Sequence, residues 1–161
     1  MAQPVVVDQP QELPVGAEAA FRGTLLMDVP AVFRRWYGPF PPIRQVVDGG
    51  SWGTPGNTRT LKMAGGGSAV EELVKVDAPR GFGYELTSIR GPLSWIASSV
   101  DGEFSFAASG AVTKVTWRWT IHPRSALTRP ALLALGALWH GWARLALAEL
   151  ANQLRQSDRT G

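Results

Sequence analysis

The feature that most limits what this chain can become is a change of hydrophobic period near Thr128. From Ile43 to His122 the sequence is a series of alternating apolar and polar segments separated by short loops. In such a segment successive side chains point to opposite faces of a strand. From Thr128 to about Gln156 the residues are helix formers, with no proline after Pro130. There Leu132, Leu135, Trp139, Trp142, Ala146 and Leu150 recur at spacings of three and four, which makes one apolar face. Such a helix would be roughly 40 Å long at about 1.5 Å per residue. Strands joined by short loops predict an antiparallel meander. A sheet with one apolar face needs a cover, and only this helix is long enough to supply it. The expected class is therefore α+β, with six or seven antiparallel strands and one long carboxyl-terminal helix.

The finer reading assigns residues 1–16, rich in Pro and Gln, to a loose flexible arm, 17–156 to a single domain, and 157–161 to a tail. "EAAFRGTLLM" alternates, with Phe21, Leu25 and Met27 on one face, and reads as a strand. "DVPAVFRRWYG" reads as a helix capped by Asp28 with Pro30 in its first turn, ended by Gly38 and the prolines that follow. "IRQVVDGG", "NTRTLKMA", "SAVEELVKVDA" and "GFGYELTSI" are strands, the middle two joined by the glycine turn "AGGGS". "PLSWIASSVDGEFSFAASG" is extended, as one bent strand or as two hinged at Asp101-Gly102.

Composition removes several function classes. With 161 residues the chain can build one substantial core. It has no cysteine and only His122 and His140, which argues against disulfide, thiol and zinc chemistry. The net charge is +3, but thirteen of the sixteen cations are arginines scattered along the chain, Arg34-Arg35 being the densest pair. A nucleic-acid binder usually gathers its cations on one face, so nucleic acid is not the expected partner. The amino terminus lacks the pattern of a signal peptide. The run "ALLALGALW" reads as too short for a membrane span. A soluble cytoplasmic protein, monomer or homodimer, is the expectation. No nucleophile motif, phosphate loop or metal-ligand spacing is present, and no cofactor is implied.

Two constellations remain. In "TKVTWRWTI" Trp117 and Trp119 share a face with Val115 and Ile121, and Trp139 and Trp142 would face them from the helix. Four indoles can fill a plain core, or their flat faces can wall a cavity. In the second constellation Arg59 shares parity with Leu61 and Met63, and Glu72 with Val70, Val74 and Val76. A two-residue turn at Gly65-Gly66 would set Arg59 opposite Glu72, as a buttressing ion pair or as a polar anchor for a ligand. Tyr84 shares a face with Phe82 and Leu86, and its hydroxyl either orients a ligand or reaches a cavity mouth. Trp52 and Trp95 stand on loops that would border such a mouth, and Trp36 closes the short amino-terminal helix, equally readable as a core plug. His140 lies off the apolar stripe, and His122 ends its strand.

The stretch "WGTPGNTRTLKMAGGGSAVEELVKVDAPRGFGYEL" resembles the START-like, Bet v 1-type (SRPBCC) superfamily of polyketide cyclases and lipid-transport proteins. Gly56, Arg59, Gly66, Glu71 or Glu72, Asp77, Pro79, Phe82 and Tyr84 carry the likeness, together with the order of elements from about Ala17 to Leu154. The resemblance implies a helix-grip fold, a curved antiparallel sheet wrapped around the long helix with a hydrophobic cavity between them. It implies a hydrophobic small-molecule partner, such as a lipid, a fatty acyl chain or a polyketide-like aromatic. On that reading the ligand would meet Trp36, Trp52, Arg59, Met63, Tyr84, Trp95, Phe106, Trp117, Trp119, Trp139 and Trp142. A cyclase or aromatase would use Glu72 and Tyr84 as its polar groups. A solid-core scaffold or interaction domain is the third reading, because the fold alone does not fix a function.

Overall fold

The computed structural model describes residues 2–160. Seven strands form one antiparallel sheet: β1 (Val5–Leu13), β2 (Ile43–Val47), β3 (Thr58–Met63), β4 (Ser68–Asp77), β5 (Gly81–Arg90), β6 (Ala97–Ser109) and β7 (Val112–Pro123). Their spatial order is β1-β7-β6-β5-β4-β3-β2, so the middle of the chain is the meander that its short loops predict. Two short helices, α1 (Ala17–Leu25) and α2 (Val29–Val32), connect β1 to β2, and α3 (Arg129–Thr160) ends the chain. The long helix covers the sheet's apolar face through Leu132, Trp139, Leu147 and Leu150, all buried. The architecture is α+β, a helix-grip fold.

Four local expectations are corrected. The amino-terminal segment taken as a loose arm contains β1, which pairs with β7 from Val5↔Ile121 to Leu13↔Thr113. Val5, Val7 and Leu13 face inward and supply the burial that holds it. Pro10 is tolerated because β1 is an edge strand, where one side of the backbone needs no ladder partner. The segment after it is helix α1 and not a strand. Its buried residues are Ala20, Phe21, Thr24 and Leu25, and the four-residue step from Phe21 to Leu25 fits both periods. "PLSW" is a 3-10 turn, Pro92–Trp95, and β6 then runs unbroken through Asp101 and Gly102. Finally, α3 is long and apolar enough, by length and composition, to cross a bilayer. Its buried stripe from Leu132 to Leu154 packs against the sheet and α1, while Leu133, Leu138 and Leu145 face outward.

Two smaller differences concern ends of elements. Asp28 stands at the start of α2 but its side chain makes no capping bond, and the helix stops at Val32, well short of Gly38. The carboxyl-terminal residues read as a tail continue α3 as far as Thr160.

Candidate functional site

The β3–β4 hairpin decides which acid enters the interior. Met63 N–H donates to the Gly67 carbonyl at 2.9 Å, which closes a three-residue loop instead of the expected two. Gly65 and Gly66 both hold positive φ, 86° and 89°, the conformation that glycine adopts without steric penalty. One extra loop residue moves the register by one and exchanges the two faces of β4. Arg59 therefore lies opposite Glu71, and Glu72 opposite Thr58. Ala69, Glu71 and Leu73 point inward, while Glu72 and Val74 point to solvent. Glu72, the expected acid of the site, is on the outer face. Glu71 takes its place, its carboxylate 2.5 Å from Arg59 Nε.

Arg59 is held on a second side as well. Its guanidinium carbon sits 3.8 Å from the centre of the Trp52 ring, a cation–π contact. Trp52 in turn donates its indole N–H to the Leu25 carbonyl at the end of α1, 3.1 Å away. Burial pushes the Glu71 carboxyl above the ordinary glutamate range, and the Arg59 charge and hydrogen bond pull the other way.

The tryptophans do both things that the sequence allows. Trp117 is the centre of an aromatic cluster, with ring centres 6.0 Å from Trp119, 5.1 Å from Trp139 and 5.4 Å from Trp142. Phe104 stacks nearly parallel to Trp117 at 5.2 Å, and Phe40 stacks on Trp142 at 4.8 Å. Trp139 is wholly buried behind this cluster and stays out of the cavity wall, and its indole N–H has no hydrogen-bond partner among the described residues. Trp117, Trp119 and Trp142 each turn one side toward a cavity of about 330 Å³.

That cavity lies between the sheet, α3 and the α1–α2 segment. Its inner wall is apolar, with Leu61, Ala69, Leu86 and Phe82 among its residues, and its polar side chains include Arg59, Glu71 and Tyr84. Trp36, Pro39, Gly65 and Arg90 line it and are also solvent-exposed, so the opening lies on their side. Met63 and Trp52 are wall residues. Trp95 is not: it is 72% exposed, although its neighbours Leu93 and Ile96 do line the cavity. Phe106 packs against Phe21 at 5.9 Å and lies off the wall. Phe33 and Phe40 belong to the wall without having been expected there: Phe40 sits in irregular chain where no period marks it, and Phe33 stands in the stretch expected to be helical, just past the point where α2 ends at Val32.

Tyr84 crosses the sheet floor. Its ring lies over Gly102 of β6, the residue paired with it, and a Cβ at Gly102 would overlap that ring. Glycine here makes room for a side chain from the next strand. Beyond Gly102 the same row reaches Trp119. The Tyr84 oxygen accepts hydrogen bonds from the Trp117 and Trp119 indole N–H groups, both 2.9 Å long. Burial raises the Tyr84 hydroxyl pKa well above its ordinary value, so the group stays protonated.

The histidines lie apart from this site. His122 pairs with Asp101 at 2.7 Å in a part-exposed position, and His140 stands 3.4 Å from the Gln9 side chain. Among the described residues no three potential metal ligands gather.

Comparison with known proteins agrees with this architecture. No curated protein matches the sequence. Among solved structures, the crystal structure of Ara h 8.0201 superposes with a TM-score of 0.64 at 12% identity, covering 95% of this chain and 99% of that one. The ginseng major latex-like protein 151 from Panax ginseng gives a TM-score of 0.69 at 13% identity, covering 94% and 98%. At such identities the likeness is one of fold. The family model described as "Polyketide cyclase / dehydrase and lipid transport" matches residues 5–155, β1 included. The chain belongs to that family, within the START-like, Bet v 1-type superfamily.

Proposed function

We propose that this protein binds a hydrophobic small molecule in its internal cavity and carries or sequesters it without transforming it. The observation that carries the reading is the cavity itself, about 330 Å³ bounded mostly by apolar side chains and open on one side. Small-molecule pockets span roughly 300–1,000 Å³, so this one suits a compact ligand, such as one medium acyl chain or a fused-ring aromatic. Its polar groups favour holding over chemistry. General acid–base catalysis needs a group that exchanges protons near the working pH. Tyr84 keeps its proton too tightly for that, Glu71 is engaged by Arg59, and Glu72 is outside. Residence in the cytoplasm as a monomer or homodimer belongs to the same proposal.

Native mass spectrometry of the protein as purified, followed by tryptophan-quenching titrations with fatty acids of increasing length and with naphthalene-sized aromatics, tests it. Saturable quenching, strongest for ligands of one size class, is the expected result. Absence of quenching by either series would leave a solid-core scaffold as the better account, and turnover of a bound probe would make the protein an enzyme.

A further inference from the structure

A phenolic oxygen has one proton to give and lone pairs for about two incoming donors. At Tyr84 both lone-pair positions are taken, by the indole N–H groups of Trp117 and Trp119 at 2.9 Å each. The hydroxyl proton must therefore point in the remaining direction. The ring cannot swing to choose another, since it lies over Gly102 and is flanked by Phe104 at 6.2 Å. Among the described residues no acceptor receives this proton, and Tyr84 is part of the cavity wall. Two indoles two residues apart thus convert a rotatable hydroxyl into a donor of fixed direction on an apolar wall. A buried donor without an acceptor is unfavourable, and a ligand atom that accepts from it removes that penalty.

The charge around it narrows the choice further. Leu73 pairs with Tyr84 and Glu71 with Leu86, which puts Glu71 one diagonal step from the tyrosine on the same face. Among the described residues the cavity wall holds two cations: Arg59, already matched by Glu71 and stacked on Trp52, and Arg90, which stands at the solvent-exposed opening six residues along β5 from Tyr84. The inner end of the cavity offers a directed donor and no uncompensated positive charge.

Given the cavity as a ligand site, we infer that its ligand is an uncharged apolar molecule bearing an acceptor oxygen, such as a ketone, aldehyde or ester carbonyl, and that this oxygen accepts the Tyr84 O–H. A plain hydrocarbon would leave the donor unmet. A carboxylate would bring a second negative charge to a site that holds Glu71.

The test uses three probes of one size on the full chain: 2-acetylnaphthalene, its near-isostere 2-isopropenylnaphthalene, and 2-naphthoate. Affinities are measured by calorimetry for wild type and Tyr84→Phe. Wild type is expected to prefer the ketone to the alkene by about tenfold more than Tyr84→Phe does, one neutral hydrogen bond's worth, and to bind 2-naphthoate more weakly than the ketone at pH 7.5. The infrared carbonyl stretch of the bound ketone gives a second readout that a packing role would not move. It should fall to lower frequency in wild type and return toward its apolar-solvent position in Tyr84→Phe. Should the variant fold poorly, the wild-type stretch alone still decides. If ketone and alkene bind with the same relative affinity in both proteins, or the bound carbonyl is unshifted, the directed donor is wrong while the cavity stands. Tighter binding of 2-naphthoate overturns the requirement for an uncharged ligand. If no probe binds wild type, the ligand-site reading fails and the inference falls with it.

Discussion

Gly102 is where a missing side chain does the most, since the Tyr84 ring occupies the space its Cβ would need. Gly102→Ala should force that ring off the sheet and separate it from Trp117 and Trp119. Overpacking of this kind costs about 1–3 kcal/mol, read as a lower urea midpoint with an altered tryptophan emission spectrum. A variant as stable as wild type would show that the ring has another place to go. The indoles can be ranked in the same way. Trp117→Phe and Trp139→Phe remove similar volumes from the cluster, but only Trp117 has a bonded N–H to lose. Trp117→Phe should therefore be the more destabilising by about 1 kcal/mol in urea unfolding, and the reverse order would contradict the assignment.

The Arg59–Glu71 pair predicts a pH dependence. With Arg59 replaced by Met, burial is left as the dominant influence on Glu71, and it raises the pKa. A carboxyl whose folded pKa lies above its unfolded value contributes stability that is full below the unfolded value and is lost as pH rises through the folded one. Arg59→Met should thus be progressively destabilised, relative to wild type, as pH rises from acid toward neutral. Adding Glu71→Gln should abolish that slope, while Glu72→Gln, on the solvent face, should leave it and the stability within about 0.5 kcal/mol. Chemical denaturation at a series of pH values checks all three. A pH-independent loss in Arg59→Met would mean that Glu71 does not depend on this arginine.

At the scale of elements, the sequence spoke clearly where a period ran long enough to be unambiguous. Strands β3, β4, β5 and β7 and the helix α3 were all legible, because each repeats its pattern over six or more residues. Among the shorter or mixed segments β2 was legible, but α1 and β1 were not. Phe21 and Leu25 fit helix and strand alike, so tertiary packing against Phe82 and Phe106 decides that α1 is helical. Pro10 within β1 and the flanking Pro4 and Pro14 hid a strand whose alternation of Val5 and Val7 is plain in the sequence. In the site, Arg59, Tyr84, Trp117, Trp119 and Trp142 could be named from parity and helical spacing, while Trp139, named with them, lies behind the wall. The partner acid could not, since three consecutive glycines leave the loop length open and one residue of slippage exchanges Glu71 for Glu72. The importance of β1 is testable: deleting residues 2–13 would bare the edge of β7 and uncover the α3 surface on which β1 lies, where Gly136 meets Val5 and Val7. The truncated chain should melt at lower temperature and self-associate in size-exclusion chromatography, as an uncovered strand edge does. Unchanged melting and elution would return the segment to the status of a loose arm.

For the molecule as a whole, the long helix closes a curved sheet without filling the space beneath it. Aromatic side chains occupy one end of that space solidly, through Trp117, Trp139 and Phe104, and leave the other end as a walled cavity reaching solvent near Trp36 and Gly65. The central claim is that this space is available to an apolar guest. The most direct measurement is titration of wild type and of Ala69→Phe, which sets a ring into the cavity from a buried wall position, with N-phenyl-1-naphthylamine, followed by energy transfer from the tryptophans. The account predicts saturable one-to-one uptake by wild type and its loss in Ala69→Phe with the fold intact by circular dichroism. No saturable uptake by wild type, or equal uptake by both proteins, would contradict it.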